Sequence, residues 1–333
     1  MWRRASWQAV VTEERTRGSM PRGEMALWRA RARRRSTGHG GLDSPPLVSV
    51  VMPNFNKGPY IERAIASVLK QTLQDFELVL VDDGSTDGSL EAGESLARSD
   101  PRVVPKALPG HRGLPAALNE GLRAARSPVV TFMGSDDVAS PRRLQRISEF
   151  FGGMRSPAVL YSDLTVVDET AATLEQDTLS RRIRPSGMIL PSLLAGSFEF
   201  HGGPFATQRE VLAEAGPFDE TLTWGEDFDM CLRLAARHEF RFDPVSTYGY
   251  RIYKGNMLGS LTKRKRWSEQ ARILERHLLP NLDALRPRQA EASFRYLFSC
   301  YVASRQWQKL FRRGLSHPAA LAELAILPLR AGR

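Results

Sequence analysis

Residues 76–88 read FELVLVDDGSTDG. From Phe76 to Val81 the run is near-continuously apolar and of strand length, as a parallel strand covered on both faces requires. It stops on two adjacent carboxylates, Asp82 and Asp83, followed at once by Gly84 and small hydroxyl residues. Upstream, LVSVVMP (47–53) is a second such run. Between the two, KGPYIERAIASVLKQTL (57–73) opens with Pro59, which a first helical turn tolerates, and carries Ile61, Ala64, Ile65, Val68 and Leu69 at helical spacing. Strand, helix and strand of this size make a right-handed crossover with a parallel pair.

The alternation continues downstream. A helix is expected over 89–97, a short edge strand at VVP near 103, a helix over 114–126 and a strand at PVVTFM, whose apolar run ends in Gly134, Ser135, Asp136 and Asp137. A helix over 141–153 and a strand at AVLYSD (158–163) extend the pattern, which predicts an open, mostly parallel α/β sheet flanked by helices. Residues 164–200 read as an irregular excursion. Residues 201–260 read as short strands with a helix starting near Glu226. From about 264 the chain turns helical and basic, with AEASFRYLFSCYVASRQWQKLFRR (290–313) placing Phe294, Leu297, Phe298, Tyr301, Val302 and Trp307 on one face. The expected organisation is therefore a basic, disordered lead-in over 1–46, an α/β domain over 47–260 and a basic helical extension over 261–333.

Charge follows the same division. The first 46 residues hold ten basic against four acidic side chains, and residues 261–333 hold fifteen against five. With a formal net charge of +10 for the whole chain, the middle carries −6. An acidic centre repels a nucleic-acid backbone, and no recognition motif for one is present, so nucleic acid is not an expected partner. The basic ends could face anionic lipid, nucleic acid or water, and charge alone does not choose. No run approaches eighteen consecutive apolar residues, so no bilayer-spanning helix is expected. Cys231 and Cys300 are far apart in apolar surroundings and are expected as reduced thiols, which places the chain in the cytoplasm, with peripheral contact at the inner membrane face through its basic helices.

In a parallel sheet the open crevice lies beyond the C-terminal ends of the strands. Asn54, Phe55 and Asn56 follow the first strand, Asp82 to Ser85 the second, and Asp136 with Asp137 a later one, so all three groups should meet at one edge. Helix capping explains one carboxylate per turn; two adjacent ones at two strand ends invite a cation. PNFNKG stands where a glycine-rich dinucleotide turn would be, so phosphate would have to be held through a metal ion. Phe55 suits stacking on a base, or the core.

The stretch from PNFNKG through VLVDDGSTDGS, together with GSDD at 134–137 and AGPFDETLTWGEDFDMCLRLA at 215–235, resembles the family 2 glycosyltransferases over about residues 47–253. The resemblance implies the GT-A fold and an inverting transfer from a nucleoside diphosphate sugar, UDP-linked in the first instance, with Mg²⁺ or Mn²⁺ as cofactor. It assigns Pro53, Phe55, Asn56, Asp82, Asp83 and Arg112 to the nucleotide, and Asp136 to ribose and diphosphate. Asp137 becomes the direct metal ligand and Arg251 a phosphate contact. Asp227, with Glu226 close behind, becomes the general base, and Trp224 a stacking surface for the acceptor. The acceptor is a carbohydrate or lipid-linked carbohydrate in polysaccharide or glycolipid assembly, and the C-terminal helices are an expected homodimer surface. Three departures stand out: Gly134 replaces an aspartate, Gly110-His111-Arg112-Gly113 replaces an asparagine-x-glycine element, and Tyr253 replaces a late histidine. The first and last motivate an alternative, a relative that binds sugar nucleotides without turnover.

Overall fold

The computed structural model describes residues 45–154, 156–175, 185–197, 203–255 and 262–314; of the expected lead-in over 1–46, residues 1–44 lie outside them. Contacts divide the described chain into two units.

The first unit, residues 45–175 with 203–218 and 241–253, is built on one sheet. Strand β1 (Val48–Asn54), helix α1 (Gly58–Leu69), strand β2 (Phe76–Asp82), helix α2 (Ser89–Ser99), strand β3 (Val103–Ala107), helix α3 (Leu114–Ala124) and strand β4 (Val129–Phe132) follow the expected alternation. Then come β5 (Val138–Ala139), α4 (Arg143–Gly152), β6 (Ala158–Val167), β7 (Thr173–Glu175), α5 (Leu190–Leu194, in the second unit), β8 (Phe205–Gln208) and α6 (Arg209–Ala215). Strand β9 (Glu239–Arg251) comes last, and the sheet order is β3-β2-β1-β4-β8-β6-β9-β5 with β7 beside β6. The sheet is mixed. It is parallel from β3 to β4 and antiparallel at β4–β8, β8–β6 and β9–β5. The crossover pattern thus ends at β4, because β6 pairs with β8, a strand more than forty residues later, rather than with its predecessor.

Alternation along β2 explains why both faces are covered. Leu78 and Leu80 join Val50, Met52, Ile61 and Ile65 in a core on the α1 side, while Val79 and Val81 meet Ala116 and Ala117 of α3 on the other. Each of the larger side chains among them contributes roughly 1.5–3 kcal/mol by leaving water. Helix α3 lies so close to the sheet that a Cβ at Gly121 would come within 2.3 Å of Val51 Cγ1.

The second unit, residues 185–197, 219–240, 254–255 and 262–314, is mainly helical. It contains α5, α7 (Glu226–Ala235), α8 (Lys263–Leu278), a 3₁₀ turn (Leu279–Ala284), α9 (Pro287–Ser304) and α10 (Trp307–Gly314). Met230, Leu234, Ile273, Leu274, Phe294, Leu297 and Phe298 are buried here. The single long helix expected over 290–313 is two. Arg305 adopts a left-handed backbone (φ 61°), and the amide of Gln306 turns back to the Tyr301 carbonyl at 2.8 Å, which closes α9. Of the expected apolar face, Phe294, Leu297, Phe298 and Tyr301 are buried, whereas Val302 and Trp307 are exposed. No described helix is long and apolar enough to cross a membrane.

Candidate functional site

The ends of β1 and β2 are tied together by side chains. Asn54 Nδ2 donates to Asp82 Oδ1 (2.7 Å), Ser89 Oγ (2.9 Å) and Ser85 Oγ (3.2 Å). Asp82, fully buried, accepts with its other oxygen from the amides of Gly84 and Ser85, closing its own turn. Asn56, in the left-handed region that asparagine tolerates, accepts from the Thr86 amide (2.8 Å) and donates its own amide to Ser85 Oγ (2.9 Å). Pro53 is half-buried in β1, opposite Val81.

Asp83 turns the other way. Its two carboxylate oxygens accept from the amides of Arg112 (2.7 Å) and Gly113 (2.8 Å), and His111 Nδ1 lies 2.8 Å from one of them. The close approach needs Gly84, whose φ is +76° and whose added Cβ would stand 2.7 Å from the Gly110 carbonyl carbon. Asp83 therefore anchors the 110–113 turn, and His111 stacks on Phe55 with ring centroids 3.8 Å apart. Both rings are substantially open to solvent, Phe55 at 37 %, as a surface for a flat base would be.

At the end of β4 the two carboxylates part company. Asp137 is buried, and its oxygens accept from the Tyr248 hydroxyl and the Arg251 amide (2.8 Å), both on β9. Burial first, then the neighbouring negative charge of Asp136, pushes Asp137 up to about 8. Asp136 keeps partial access to solvent: Lys57 Nζ lies 2.7 Å from its Oδ2, the Tyr253 hydroxyl donates to the same oxygen (2.8 Å), and Lys57 also donates to that hydroxyl. Arg251 lies beneath, fully buried, with Nε on the Asp136 carbonyl and Nη1 on the carbonyls of Asp168 and Glu169. Its bonds hold backbone, and the carboxylate open to a ligand is Asp136. The three strand ends, scattered over more than eighty residues of sequence, thus meet through Asn54–Asp82, Asn56–Thr86 and Lys57–Asp136.

Mg²⁺ and Mn²⁺ take oxygen ligands in near-octahedral order. Among the described residues no group of three or more His, Cys, Asp or Glu could hold an ion. Both Asp137 oxygens are hydrogen-bonded in the interior, and one Asp136 oxygen carries an ammonium and a phenol. An ion on the remaining Asp136 oxygen would stand beside the Lys57 ammonium, cation against cation. So arranged, the residues do not fit a divalent ion.

In the second unit, Gly225 (φ 80°) caps α7, and Glu226, Asp227 and Asp229 fill its first turn, where the helix dipole favours negative charge. Asp229 is structural. Burial opposes its ionisation, but the hydrogen bond to His277 (2.8 Å) and the charge of Arg233 hold it below the usual carboxylate range. Glu226 is buried, and burial followed by the charge of Asp227 pushes it up to about 8. Asp227 is half-buried and accepts from the Phe228 amide at 2.7 Å; Trp224 is half-buried two residues before Glu226. Sequence reasoning missed Lys57 and Tyr248. A lysine in a turn reads as solvated, and the signal that could have raised Lys57 is its place directly after the Asn-Phe-Asn strand end, opposite two acidic ones.

Residues 49–214 match the profile of the family described as "Glycosyl transferase family 2". An uncharacterized glycosyltransferase of Nostoc sp. is 35 % identical over 190 residues, which cover 56 % of this chain and 58 % of that one. The chain thus spans less than two thirds of that relative's length. Among solved structures, S. aureus TarS 1-349 in complex with UDP superposes with a TM-score of 0.58 at 20 % identity, covering 78 % of this chain and 73 % of that one. The mannosyltransferase PcManGT from Pyrobaculum calidifontis, in complex with GDP-Man and Mn²⁺, gives 0.55 at 20 % identity over 92 % and 88 %. At that identity the two show a shared fold, which is the mixed, helix-flanked sheet described above. Through residues 49–214 the chain belongs to glycosyl transferase family 2, with the GT-A fold.

Proposed function

We propose that the protein moves a sugar from a nucleoside diphosphate donor to an acceptor hydroxyl with inversion at the anomeric carbon. The observation that supports this most is the meeting of the β1, β2 and β4 ends at one edge of the sheet, with an aromatic surface, Phe55 and His111, and a solvent-reached charge pair, Lys57 and Asp136. The base is assigned to Phe55, Pro53 and the turn that Asp83 and Arg112 build, the ribose to Asp136, and the diphosphate to Lys57 beside it. Asn56 and Asp82 hold these groups in place, and Asp137 and Arg251 support Asp136 from below. Uridine and guanosine are both tested as bases, since TarS was solved with UDP and PcManGT with GDP-Man.

Asp227 is the assigned base. Burial and the neighbouring charge of Asp227 push Glu226 up to about 8, so Glu226 keeps its proton near neutrality, and Asp227 is the less buried carboxyl of the two. As the acceptor oxygen forms its bond to the anomeric carbon, its proton passes to Asp227. The bond from that carbon to the phosphate oxygen breaks, and its electron pair leaves with the nucleoside diphosphate. A divalent ion, which the resemblance implies, would supply charge stabilisation to that leaving group; the residues at Asp136 do not fit one, and no step here runs through it. Trp224 is assigned to the acceptor, a carbohydrate or lipid-linked carbohydrate. Exposed Trp307 and Phe311 beside Arg312 and Arg313 on α10 suit contact with anionic lipid.

The test is nucleoside diphosphate release from a panel of UDP- and GDP-sugars, with and without carbohydrate acceptors. Release by the wild type is expected, with about a 10³-fold loss in D227N at unchanged donor affinity. Donor binding with no release across the panel would instead favour a noncatalytic sugar-nucleotide-binding protein.

A further inference from the structure

The Lys57 ammonium is held on Asp136, the carboxylate that the family resemblance assigns to ribose and diphosphate, and by the Tyr253 hydroxyl. Two chain segments grip it: Asp136, just after β4, and Tyr253, just after β9. The Tyr253 hydroxyl, which replaces the expected late histidine, accepts from Lys57 and donates to Asp136, so the three polar groups close a ring. The Tyr60 ring, 4.5 Å from that of Tyr253, backs it. Gly134 keeps the ring intact. A Cβ there would come within 2.7 Å of Asp137 Oδ2 and 2.9 Å of Asp136 Oδ1, so an aspartate at this position could join the pair only by displacing both carboxylates. The two departures from the family pattern thus have one physical consequence, a site arranged for an organic cation.

We infer that Lys57 takes the part of the divalent ion, its ammonium carrying the positive charge that meets the donor's diphosphate. This rests on the sugar-nucleotide reading above. An ammonium has three N–H donors. Two are committed, to Asp136 and to Tyr253, and the third is free of protein partners among the described residues. The side chain is 20 % accessible, enough for a phosphoryl oxygen to reach, yet sheltered enough for the charge to be weakly screened. Lys57 also caps α1, whose N-terminal end adds positive potential at the same place. When the bond to the sugar breaks, the charge gained by the leaving phosphate is met by this fixed ammonium, and no co-reactant is consumed.

Calorimetric titration of the full chain with UDP and with GDP, once in EDTA and once in Mn²⁺, tests the inference. The nucleotide that binds is expected to do so in EDTA within about threefold of its affinity in Mn²⁺. K57M should bind about 30-fold more weakly in EDTA, the size of one lost charged hydrogen bond. Mn²⁺ should recover much of that loss, because the vacated Asp136 oxygen can then take an ion. K57R should stay within about tenfold of wild type. Wild-type binding that requires Mn²⁺, or K57M binding unchanged in EDTA, overturns the inference and leaves the sugar-nucleotide reading standing. A K57M defect that Mn²⁺ does not touch also overturns it, since that marks a merely structural lysine. If neither nucleotide binds in either buffer, the sugar-nucleotide reading falls as well. Should K57M fail to fold, the wild-type comparison between EDTA and Mn²⁺ decides alone.

Discussion

The end of β4 and the start of α7 each present two consecutive carboxyl groups, and in each pair one member is buried and pushed up to about 8. Their neighbours differ. Asp137 is held by a phenol and a backbone amide, and its partner Asp136 is matched by the Lys57 ammonium. Glu226 has burial and the charge of Asp227 against it, relieved only in part by a backbone hydrogen bond. A carboxylate matched by a fixed cation holds charge in place and makes a poor base. One standing beside a protonated carboxyl can accept a proton. Charge placement is thus proposed for the first pair and proton transfer for the second.

The comparison breaks most visibly through activity, where D227N is expected to lose about 10³-fold in turnover. D136N, by contrast, should act on donor affinity. Next in size is D137A. It strands the Tyr248 hydroxyl and the Arg251 amide in the interior, and at about 1–3 kcal/mol for each orphan it should lower unfolding stability by roughly 3 kcal/mol in denaturant titrations. D136A, at a partly exposed ion pair, should cost under about 1 kcal/mol. Equal losses in the two variants would mean that the members of this pair are not distinct.

Glu226 sharpens the comparison through pH. Its folded-state pKa lies above the unfolded carboxyl value, so between about 4.5 and 8 the folded protein keeps a proton that the unfolded chain has released. Stability from this group is full below the unfolded pKa and is lost as pH rises through that window. Wild-type stability should therefore fall against that of E226Q by up to about 1.4 kcal/mol per pH unit across the window, read as Tm or denaturant midpoint. Parallel pH profiles for the two proteins would show that Glu226 ionises normally. The smallest effect is expected for H111A. It removes one half of the stack on Phe55, worth about 0.5–1.5 kcal/mol, and one partner of Asp83, and should weaken nucleotide binding by about three- to tenfold.

Much of the first unit was legible in the sequence because its signals are local. Apolar runs ending on small or acidic residues mark β1, β2 and β4, Pro59 marks the start of α1, and both acidic pairs can be picked out by eye. What was not legible depends on distant partners. That Asp137 faces inward and Asp136 outward is decided by Tyr248 and Arg251, more than a hundred residues downstream. That β6 runs antiparallel is decided by its pairing with β8. The break at Arg305 escaped notice because no glycine or proline marks it. Lys57 escaped because a lysine's meaning depends on what it touches, and Asp136 is seventy-nine positions away.

The most direct measurement is a crystal structure of the full chain with a non-hydrolysable nucleoside diphosphate sugar. The base should lie against Phe55 and His111, with a phosphoryl oxygen within hydrogen-bond distance of Lys57 Nζ. A nucleotide bound at another edge of the sheet, or one that leaves the ends of β1, β2 and β4 without contact, would contradict the proposed donor site.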